Sequence, residues 1–255
     1  MSSEMRTREF GQREAPWLGA WATIPDPFSA ELLGRAGFDY VVLDCQHGLI
    51  GFEAMVPMLQ ALALTDVTRF VRVASNQAWE IMRALDAGAH GVIVPLVDSA
   101  DDARRAVEAC RYPPTGTRSW GPIRAALGRQ YSTRLANEQV LCLVMIETVD
   151  GVANLREIVS VPGVDGVYIG PSDLALSHGR PPTFDVQDSE HLQLVELILA
   201  TCLAAGSRVG IHCPNVDVAK RWVTHGFHML TVVSDSLLLS TQSREVLSTL
   251  RARRD

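Results

Sequence analysis

The chain contains 22 arginines but a single lysine, Lys220, among its 255 residues. Lys220 lies in residues 216–222, whose mixture of apolar and polar positions is typical of a helix rather than of a strand end. An enzyme that works through a Schiff base needs a partly desolvated lysine that points into its pocket. The scarcity of lysine therefore argues against that mechanism, and we expect carbonyl chemistry in this chain to depend on a metal ion.

Long hydrophobic runs and CxxC pairs are also absent from the sequence. No apolar run approaches the roughly 18 residues that a membrane helix needs, and the polar residues 1–13 contain no hydrophobic signal core. The cysteines are odd in number, and most lie in apolar surroundings: Cys45, Cys110, Cys142, Cys202 and Cys213. We therefore expect a reduced, cytoplasmic protein without a membrane partner.

The net charge and the length of the chain limit its binding partners and its domain organisation. The formal net charge is -6 and the isoelectric point is about 5.6, which argues against nucleic acid as a partner because such proteins present a basic face. A length of 255 residues is typical of one (β/α)₈ barrel, and no linker-like segment interrupts the sequence. We predict a polar N-terminal segment over residues 1–14 and one barrel domain over residues 15–255.

Short apolar runs alternate eight times with longer amphipathic stretches, which favours an α/β protein built as a single TIM barrel. The runs are apolar throughout, as in parallel strands that helices cover. The predicted strands are 17–23, 40–44, 69–73, 91–95, 140–147, 166–170, 208–213 and 228–233.

Three segments are less regular. Pro57 predicts a late start or a kink in the second helix, residues 111–134 resemble a long loop, and residues 236–254 predict one amphipathic C-terminal helix.

Two carboxylates carry most of the functional information. Glu147 ends the apolar run 140–146, and Asp173 follows the apolar residues 167–169 and a short turn. Their separation of 26 residues is about one strand–helix–strand unit, so in a parallel barrel both lie at the same end of neighbouring strands. Paired carboxylates with no cysteine nearby suit Mg²⁺ or Mn²⁺, with Co²⁺ as a third candidate.

Further polar residues follow other strands at the end where TIM barrels place their active sites. Arg72 lies in a buried strand pattern, where a guanidinium needs an acid or a bound anion. A structural ion pair and a role in holding a substrate carboxylate or enolate oxygen are equally compatible with its position. His47 is the preferred acid/base residue because histidine titrates near neutrality. Asp86 lies near a helix end, where a carboxylate is disfavoured unless a partner such as histidine is present.

Candidate substrate contacts accompany this set. Residues 170–173 open a short helix whose free N–H groups suit a carboxylate, which makes Ser172 a candidate ligand-binding residue. Leu174 and His212 are candidates for lining the substrate pocket. Trp21 is a candidate pocket wall, although a core position is the more common role of such an aromatic residue.

With these residues in place, the chain resembles the HpcH/HpaI aldolase family of metal-dependent pyruvate aldolases. The resemblance extends from about Gly19 to Val233. It rests on the segments Val42-Leu43-Asp44-Cys45-Gln46-His47-Gly48, Leu85-Asp86-Ala87-Gly88-Ala89, Arg111-Tyr112-Pro113-Pro114, Ile146-Glu147-Thr148 and Val164-Asp165-Gly166-Val167-Tyr168-Ile169-Gly170-Pro171-Ser172-Asp173-Leu174.

The resemblance implies a (β/α)₈ barrel in a homohexamer, with a C-terminal helix exchanged between subunits. It also implies that Glu147 and Asp173 bind the metal, that Arg72 binds pyruvate and stabilises its enolate, and that His47 and Asp86 form an acid/base pair. Trp21 matches an aromatic residue near the site. Met145 departs from the pattern, since many members carry glutamine there, and this difference bears on substrate preference.

The implied reaction joins the enolate of pyruvate, or of a close 2-oxo acid, to an aldehyde; its reverse is cleavage of a 4-hydroxy-2-oxo acid. Either a water or His47 supported by Asp86 removes the C3 proton. Three alternatives remain open: a citrate-lyase β-like enzyme acting on CoA thioesters, with Arg118, Arg124 and Arg129 near the CoA phosphates; a decarboxylase of 2-oxo diacids; and a non-catalytic 2-oxo-acid binding protein.

Overall fold

Eight parallel strands form a closed barrel in the order of the chain. A computed structural model describes residue 10, residues 15–128 and residues 130–252. The strands are β1 (Trp17–Ala22), β2 (Tyr40–Asp44), β3 (Thr68–Arg72), β4 (Gly91–Val94), β5 (Leu141–Ile146), β6 (Gly166–Ile169), β7 (Arg208–His212) and β8 (Met229–Ser234). The closed parallel barrel confirms the predicted fold class, and each strand lies within about two residues of its predicted position.

Helices in the described residues connect successive strands. They are α1 (Pro27–Arg35), α2 (Phe52–Leu62), α3 (Ala78–Asp86), α4 (Ala100–Cys110), α5 (Thr133–Gln139), α6 (Val149–Ala153), α7 (Leu155–Val159), α8 (Pro171–Ser177), α9 (Ser189–Ala204), α10 (Val216–Val223) and α11 (Asp235–Ala252). Left-handed glycines, at φ from 71° to 100°, lie just past four of these helices at Gly37, Gly88, Gly206 and Gly226. Glycine accepts this conformation without steric cost, so these residues end the helices and direct the chain into the next strand.

The hydrophobic core has two layers because residues of each strand face the helices and the barrel interior in turn. The interior layer is a separate cluster that includes Trp21, Tyr40, Phe70 and Tyr168. Two tyrosine hydroxyls meet one threonine at its centre, with 2.9 Å from Tyr40 and 2.6 Å from Tyr168 to Thr231 Oγ1. The filled interior forms a floor, so any cavity must open at a barrel end.

Several details differ from the sequence-based expectations. α2 begins at Phe52 and contains Pro57, so its predicted late start is wrong. The segment 111–134 is a loop for most of its length but ends in α5. Arg129, the terminal residues 253–255 and, apart from Phe10, the N-terminal segment 1–14 lie outside the described residues.

The C-terminal helix is present as predicted, but only its first residue, Asp235, is buried. The Asp235 carboxylate accepts hydrogen bonds from the backbone N–H groups of Thr23 and Ile24, at 2.9 and 3.1 Å. These bonds fix the start of α11 to the end of β1. Within the part of the chain that the structure describes, no helix is both long and apolar enough to cross a bilayer.

Candidate active site

A cavity of about 800 Å³ opens at the carboxyl end of the barrel. Seven of the eight strands or the loops that follow them contribute to its wall. It collects six of the residues predicted from the sequence: Trp21, His47, Arg72, Ser172, Asp173 and His212. Residues distant in sequence thus converge on one space, as expected at the end of a barrel where active sites form.

Arg72 and Asp44 form a buried ion pair on the cavity wall. The guanidinium donates from Nε to Asp44 Oδ1 at 2.9 Å and from Nη2 to Oδ2 at 2.7 Å. Burial alone would raise the pKa of Asp44, but the hydrogen bonds and charge of Arg72 outweigh it and hold the pKa below its usual value. Only two guanidinium N–H groups are used in this way, so others stay available for an anion in the cavity.

Only one of the two carboxylate oxygens of Glu147 has a hydrogen-bond partner among the described residues. Its Oε1 accepts the backbone N–H of Leu96 at 2.9 Å, whereas its buried Oε2 has no hydrogen-bond partner among the described residues. Burial, together with the negative charge of Asp173, raises the pKa of Glu147 to about 7 even though the Leu96 N–H and Arg72 oppose the rise. An unpaired buried carboxylate oxygen is costly, and a cation shared with Asp173 would remove that cost.

The donor set near Glu147 therefore fits a hard divalent cation. Asp173 lies in the first turn of α8 and lines the cavity, and the buried Ser172 Oγ next to it has no hydrogen-bond partner within the described ranges. In residues 15–128 and 130–252, no group of three or more His, Cys, Asp or Glu side chains is arranged so that it could hold a metal ion. Two carboxylates leave positions for water and substrate oxygens, which is the manner in which Mg²⁺ is usually held.

His47 and Asp86 do not meet within one chain. His47 follows β2 and lines the cavity, while Asp86 is the last residue of α3 and so lies near the amino end of β4, which begins at Gly91. Asp86 instead accepts a hydrogen bond from Arg118 Nη2 at 2.6 Å. Burial raises the pKa of Asp86 although Arg118 opposes the shift. The predicted acid/base pair is therefore not an intrachain contact.

Trp21 and His212 form one aromatic wall of the cavity. The edge-on rings lie 5.3 Å apart between centroids, and the Arg72 guanidinium carbon is 5.0 Å from the Trp21 ring centroid. Burial and the charge of Arg72 lower the pKa of His212 to about 4. His212 is consequently neutral at pH 7 and can donate one hydrogen bond and accept another.

Leu174 does not line the cavity. It is fully buried and belongs to the hydrophobic cluster between barrel and helices. Its position in α8 directs it into the core, so its predicted contact with substrate is wrong.

Asp44 is the main site residue for which the sequence analysis predicted no role. The signal was available, since β2 and β3 are adjacent and pair Asp44 with Arg72 in register. The start of α11 was also missed, and it contributes Ser236, Leu237 and Ser240 to the cavity wall. No pattern in the sequence indicates that this helix begins at the cavity.

Two of the three arginines considered for CoA binding, Arg118 and Arg124, are engaged at the opposite end of the barrel. Arg118 is 2% exposed and bound to Asp86, and Arg124 donates to the carbonyl oxygens of Ala87 and Leu59 at 2.6 and 3.2 Å. In one chain these two residues therefore do not supply a basic surface at the cavity mouth.

Comparisons with known proteins agree with this geometry. Residues 18–241 match the family model described as HpcH/HpaI aldolase/citrate lyase. The chain is 41% identical to a hydroxypyruvate/pyruvate aldolase of Rhizorhabdus wittichii, over 93% of this chain and 95% of that protein. It is 36% identical to a 4-hydroxy-2-oxo-heptane-1,7-dioate aldolase of Salmonella typhimurium, over 88% of this chain and 86% of that protein.

Among solved structures, the chain resembles an HpcH/HpaI aldolase/citrate lyase family protein from Burkholderia cenocepacia. The two share 30% sequence identity with a TM-score of 0.91, over 97% of this chain and 99% of the other. The likeness thus covers the whole barrel and not only the site.

Proposed function

Because the chain belongs to the HpcH/HpaI aldolase/citrate lyase family, we propose that it is a metal-dependent aldolase, a carbon–carbon lyase. Its reaction joins the enolate of pyruvate, or of a close 2-oxo acid, to an aldehyde and in reverse cleaves a 4-hydroxy-2-oxo acid. The observation that carries this proposal is the unpartnered Glu147 Oε2, in a site that also contains Asp173 and Arg72. The relatives named as aldolases support the same reaction class.

In this proposal the cation is held by Glu147 and Asp173. When bound, Mg²⁺ or Mn²⁺, with Co²⁺ as a third candidate, would act as a Lewis acid that lowers the energy of the enolate. Arg72, held by Asp44 at the cavity wall, binds the negative oxygen atoms of the 2-oxo acid with its remaining N–H groups. Ser172 and the start of α8 offer hydrogen-bond donors to the substrate carboxylate, and Trp21 excludes water from one side.

His47 is the residue best positioned to move a proton at this site. It lines the cavity, and its backbone N–H is hydrogen-bonded to Asp44 at 3.2 Å, which fixes the loop that carries it. Removal of the substrate C3 proton and protonation of the new alkoxide both require a group that titrates near neutral pH. We assign these proton transfers to His47, or to a water that it orients.

A homo-oligomer, which we propose to be a hexamer, would allow Asp86 to support His47. The two residues lie at opposite ends of one barrel, so Asp86 of one subunit can reach His47 only in another subunit. Two exposed apolar regions support association: α11, on which Leu239 is 65% exposed, and the loop after α4, on which Ile123 is 87% exposed. Such surfaces on a chain of this size mark contacts with other proteins. We propose that α11 is exchanged between subunits.

Hydrogen exchange at C3 of pyruvate in D₂O, followed by proton NMR, tests the proposal. We expect exchange with Mg²⁺ or Mn²⁺ and its loss with EDTA or in Glu147→Ala. Glu157→Ala is the matched control because Glu157 is an exposed acid on α7. An absence of exchange with every metal would overturn the pyruvate enolate and favour a CoA-thioester lyase, a diacid decarboxylase or a binding protein.

A further inference from the structure

Leu96 adopts a backbone conformation that leucine rarely accepts. Its φ is 52°, and among the described residues it is the one non-glycine residue with a positive φ. Left-handed backbone is easy for glycine but sterically unfavourable for leucine. The Leu96 side chain is 54% exposed, so its packing does not account for the conformation. Unfavourable backbone of this kind persists where the surrounding structure enforces it, often at functional sites.

The hydrogen bond that this conformation makes is directed at Glu147. The Leu96 N–H donates to Glu147 Oε1 at 2.9 Å. When Glu147 is ionised, as a metal ligand must be, this bond is of the stronger, charge-assisted kind.

Residues on both sides hold this arrangement in place. Two residues after Leu96, the Asp98 carboxylate accepts a hydrogen bond from the hydroxyl of Thr148, the residue that follows Glu147. The Asp98 carbonyl oxygen also accepts from Asn154 Nδ2 at 2.7 Å. The β4–α4 loop is therefore fixed to the loop after β5, with the Leu96–Glu147 bond between them.

Fixing Oε1 determines the direction of Oε2. An added Cβ on Gly170 would lie 2.5 Å from Glu147 Oε2, so this oxygen points at the carboxyl end of β6. Asp173 follows in the first turn of α8. The proposed cation would thus meet an oxygen whose orientation is set before the cation arrives.

We propose that Leu96 is a positioning residue for the proposed metal site. Its left-handed backbone aims an N–H at Glu147 Oε1 and leaves Oε2 free for the cation. The proposal rests on the proposed function, because it assumes that Glu147 binds a divalent ion. It concerns the backbone of residue 96 and not its side chain, and this distinction makes it testable.

Mn²⁺ affinity, measured by electron paramagnetic resonance of free Mn²⁺, separates the two roles. Leu96→Gly removes the exposed side chain but keeps left-handed backbone available, whereas Leu96→Pro removes the N–H donor and cannot adopt a positive φ. We expect the glycine variant to bind Mn²⁺ as the wild type does. We expect Leu96→Pro, and to a lesser degree the β-branched Leu96→Ile, to bind Mn²⁺ about 10- to 100-fold more weakly, the usual range for the loss of a group that orients a metal ligand. Leu64→Ile, at a 70% exposed leucine, is the control.

The outcomes distinguish this inference from the proposed function. Equal affinity in the glycine and proline variants would overturn the role of Leu96 while the metal site stands. Failure of the wild type to bind Mn²⁺ would overturn the metal site and this inference with it. If Leu96→Pro does not fold, as judged by its melting curve, the comparison of Leu96→Gly with Leu96→Ile still decides.

Discussion

Arg72 and Asp44 face each other at the carboxyl ends of β3 and β2 and share two hydrogen bonds of 2.9 and 2.7 Å. The pair fixes the plane of the guanidinium at the cavity wall, since two parallel bonds define an orientation as well as a distance. It also keeps a positive charge at a position that is 7% exposed. Both the orientation and the charge of Arg72 therefore affect the chemistry of the cavity wall.

Replacing Arg72 with lysine should lower the turnover number for retro-aldol cleavage about 100-fold or more, because one ammonium cannot reproduce planar donors aimed at an oxyanion. Lysine is preferable to alanine, which would leave buried Asp44 unpaired at a cost of about 3–5 kcal/mol. Steady-state kinetics and Mn²⁺ titration check the prediction, with Mn²⁺ affinity little changed. Arg104→Lys on the exposed face of α4 is the control. Full activity in Arg72→Lys would remove Arg72 from the mechanism.

His212 should make the folded protein sensitive to acid. Its folded pKa of about 4 lies below the ordinary value of 6.5, so between these values the unfolded chain binds more protons and the free energy of unfolding falls as pH decreases. His212→Gln should lose less stability than the wild type between pH 7 and pH 5 in urea unfolding. His225→Gln, at an exposed histidine after α10, should behave as the wild type. An identical loss in all three proteins would contradict the neutral state of His212.

Glu147 should couple cation binding to proton release. With a pKa of about 7 in the absence of a cation, its carboxyl is mostly protonated at pH 6 and mostly ionised at pH 8. Mn²⁺ should therefore bind more tightly at pH 8 and displace about one more proton at pH 6 than at pH 8. Calorimetry in buffers of different ionisation enthalpy measures the difference. A proton count that does not change with pH would exclude Glu147 as the titrating ligand.

Metal binding should not tolerate a side chain at Gly170. An alanine Cβ there would lie 2.5 Å from Glu147 Oε2 and 3.0 Å from Met145 Cε, a contact that forces the carboxylate to move. We expect Gly170→Ala to weaken Mn²⁺ binding about 10-fold or more while the melting temperature changes little. Gly51→Ala, whose Cβ would meet its nearest atom at 3.5 Å, is the matched control. Unaltered binding in Gly170→Ala would show that Oε2 does not contact the ion.

Mixing two inactive variants should restore activity if the acid/base pair spans two subunits. His47→Ala lacks the cavity residue, and Asp86→Ala lacks its proposed partner from another chain. Hybrid oligomers, formed by mild dissociation and reassociation, contain some interfaces with both residues intact. We expect cleavage activity to recover to a sizeable fraction of the wild type, as measured in the same assay. No recovery in hybrids confirmed by native mass spectrometry would exclude pairing between subunits.

The strands were predictable because each is a nearly continuous apolar run bounded by polar residues or glycine. The same signal is weak for short helices. α5 and α6 span 7 and 5 residues, which is too few to show a helical period, so the sequence does not predict them. Pro57 predicts a late start or a kink in α2; the late start is wrong, because α2 begins at Phe52 and includes Pro57.

The site was predictable to the extent that strand ends converge. That rule correctly brought Arg72, His47 and Asp173 to one cavity. The rule does not apply to helix ends, so it could not reveal that Asp86 lies at the other end of the barrel. The family resemblance pairs His47 with Asp86 but does not say whether both residues belong to one subunit. Nor could it separate Leu174 from its polar neighbours, since the direction of a side chain depends on how α8 is packed.

The exposure of α11 offers a way to measure association of the protein in solution. The helix spans 18 residues, of which only Asp235 is buried. In proteins most helical stability comes from packing of an apolar face rather than from intrinsic propensity, so the helicity of the leucine-rich remainder of α11 depends on what covers it. Amide hydrogen exchange in residues 236–252 should therefore be fast in a dissociated chain and slow in an assembled one. The exchange rate in the C-terminal helix would therefore report whether the subunits are associated, without added substrate or metal.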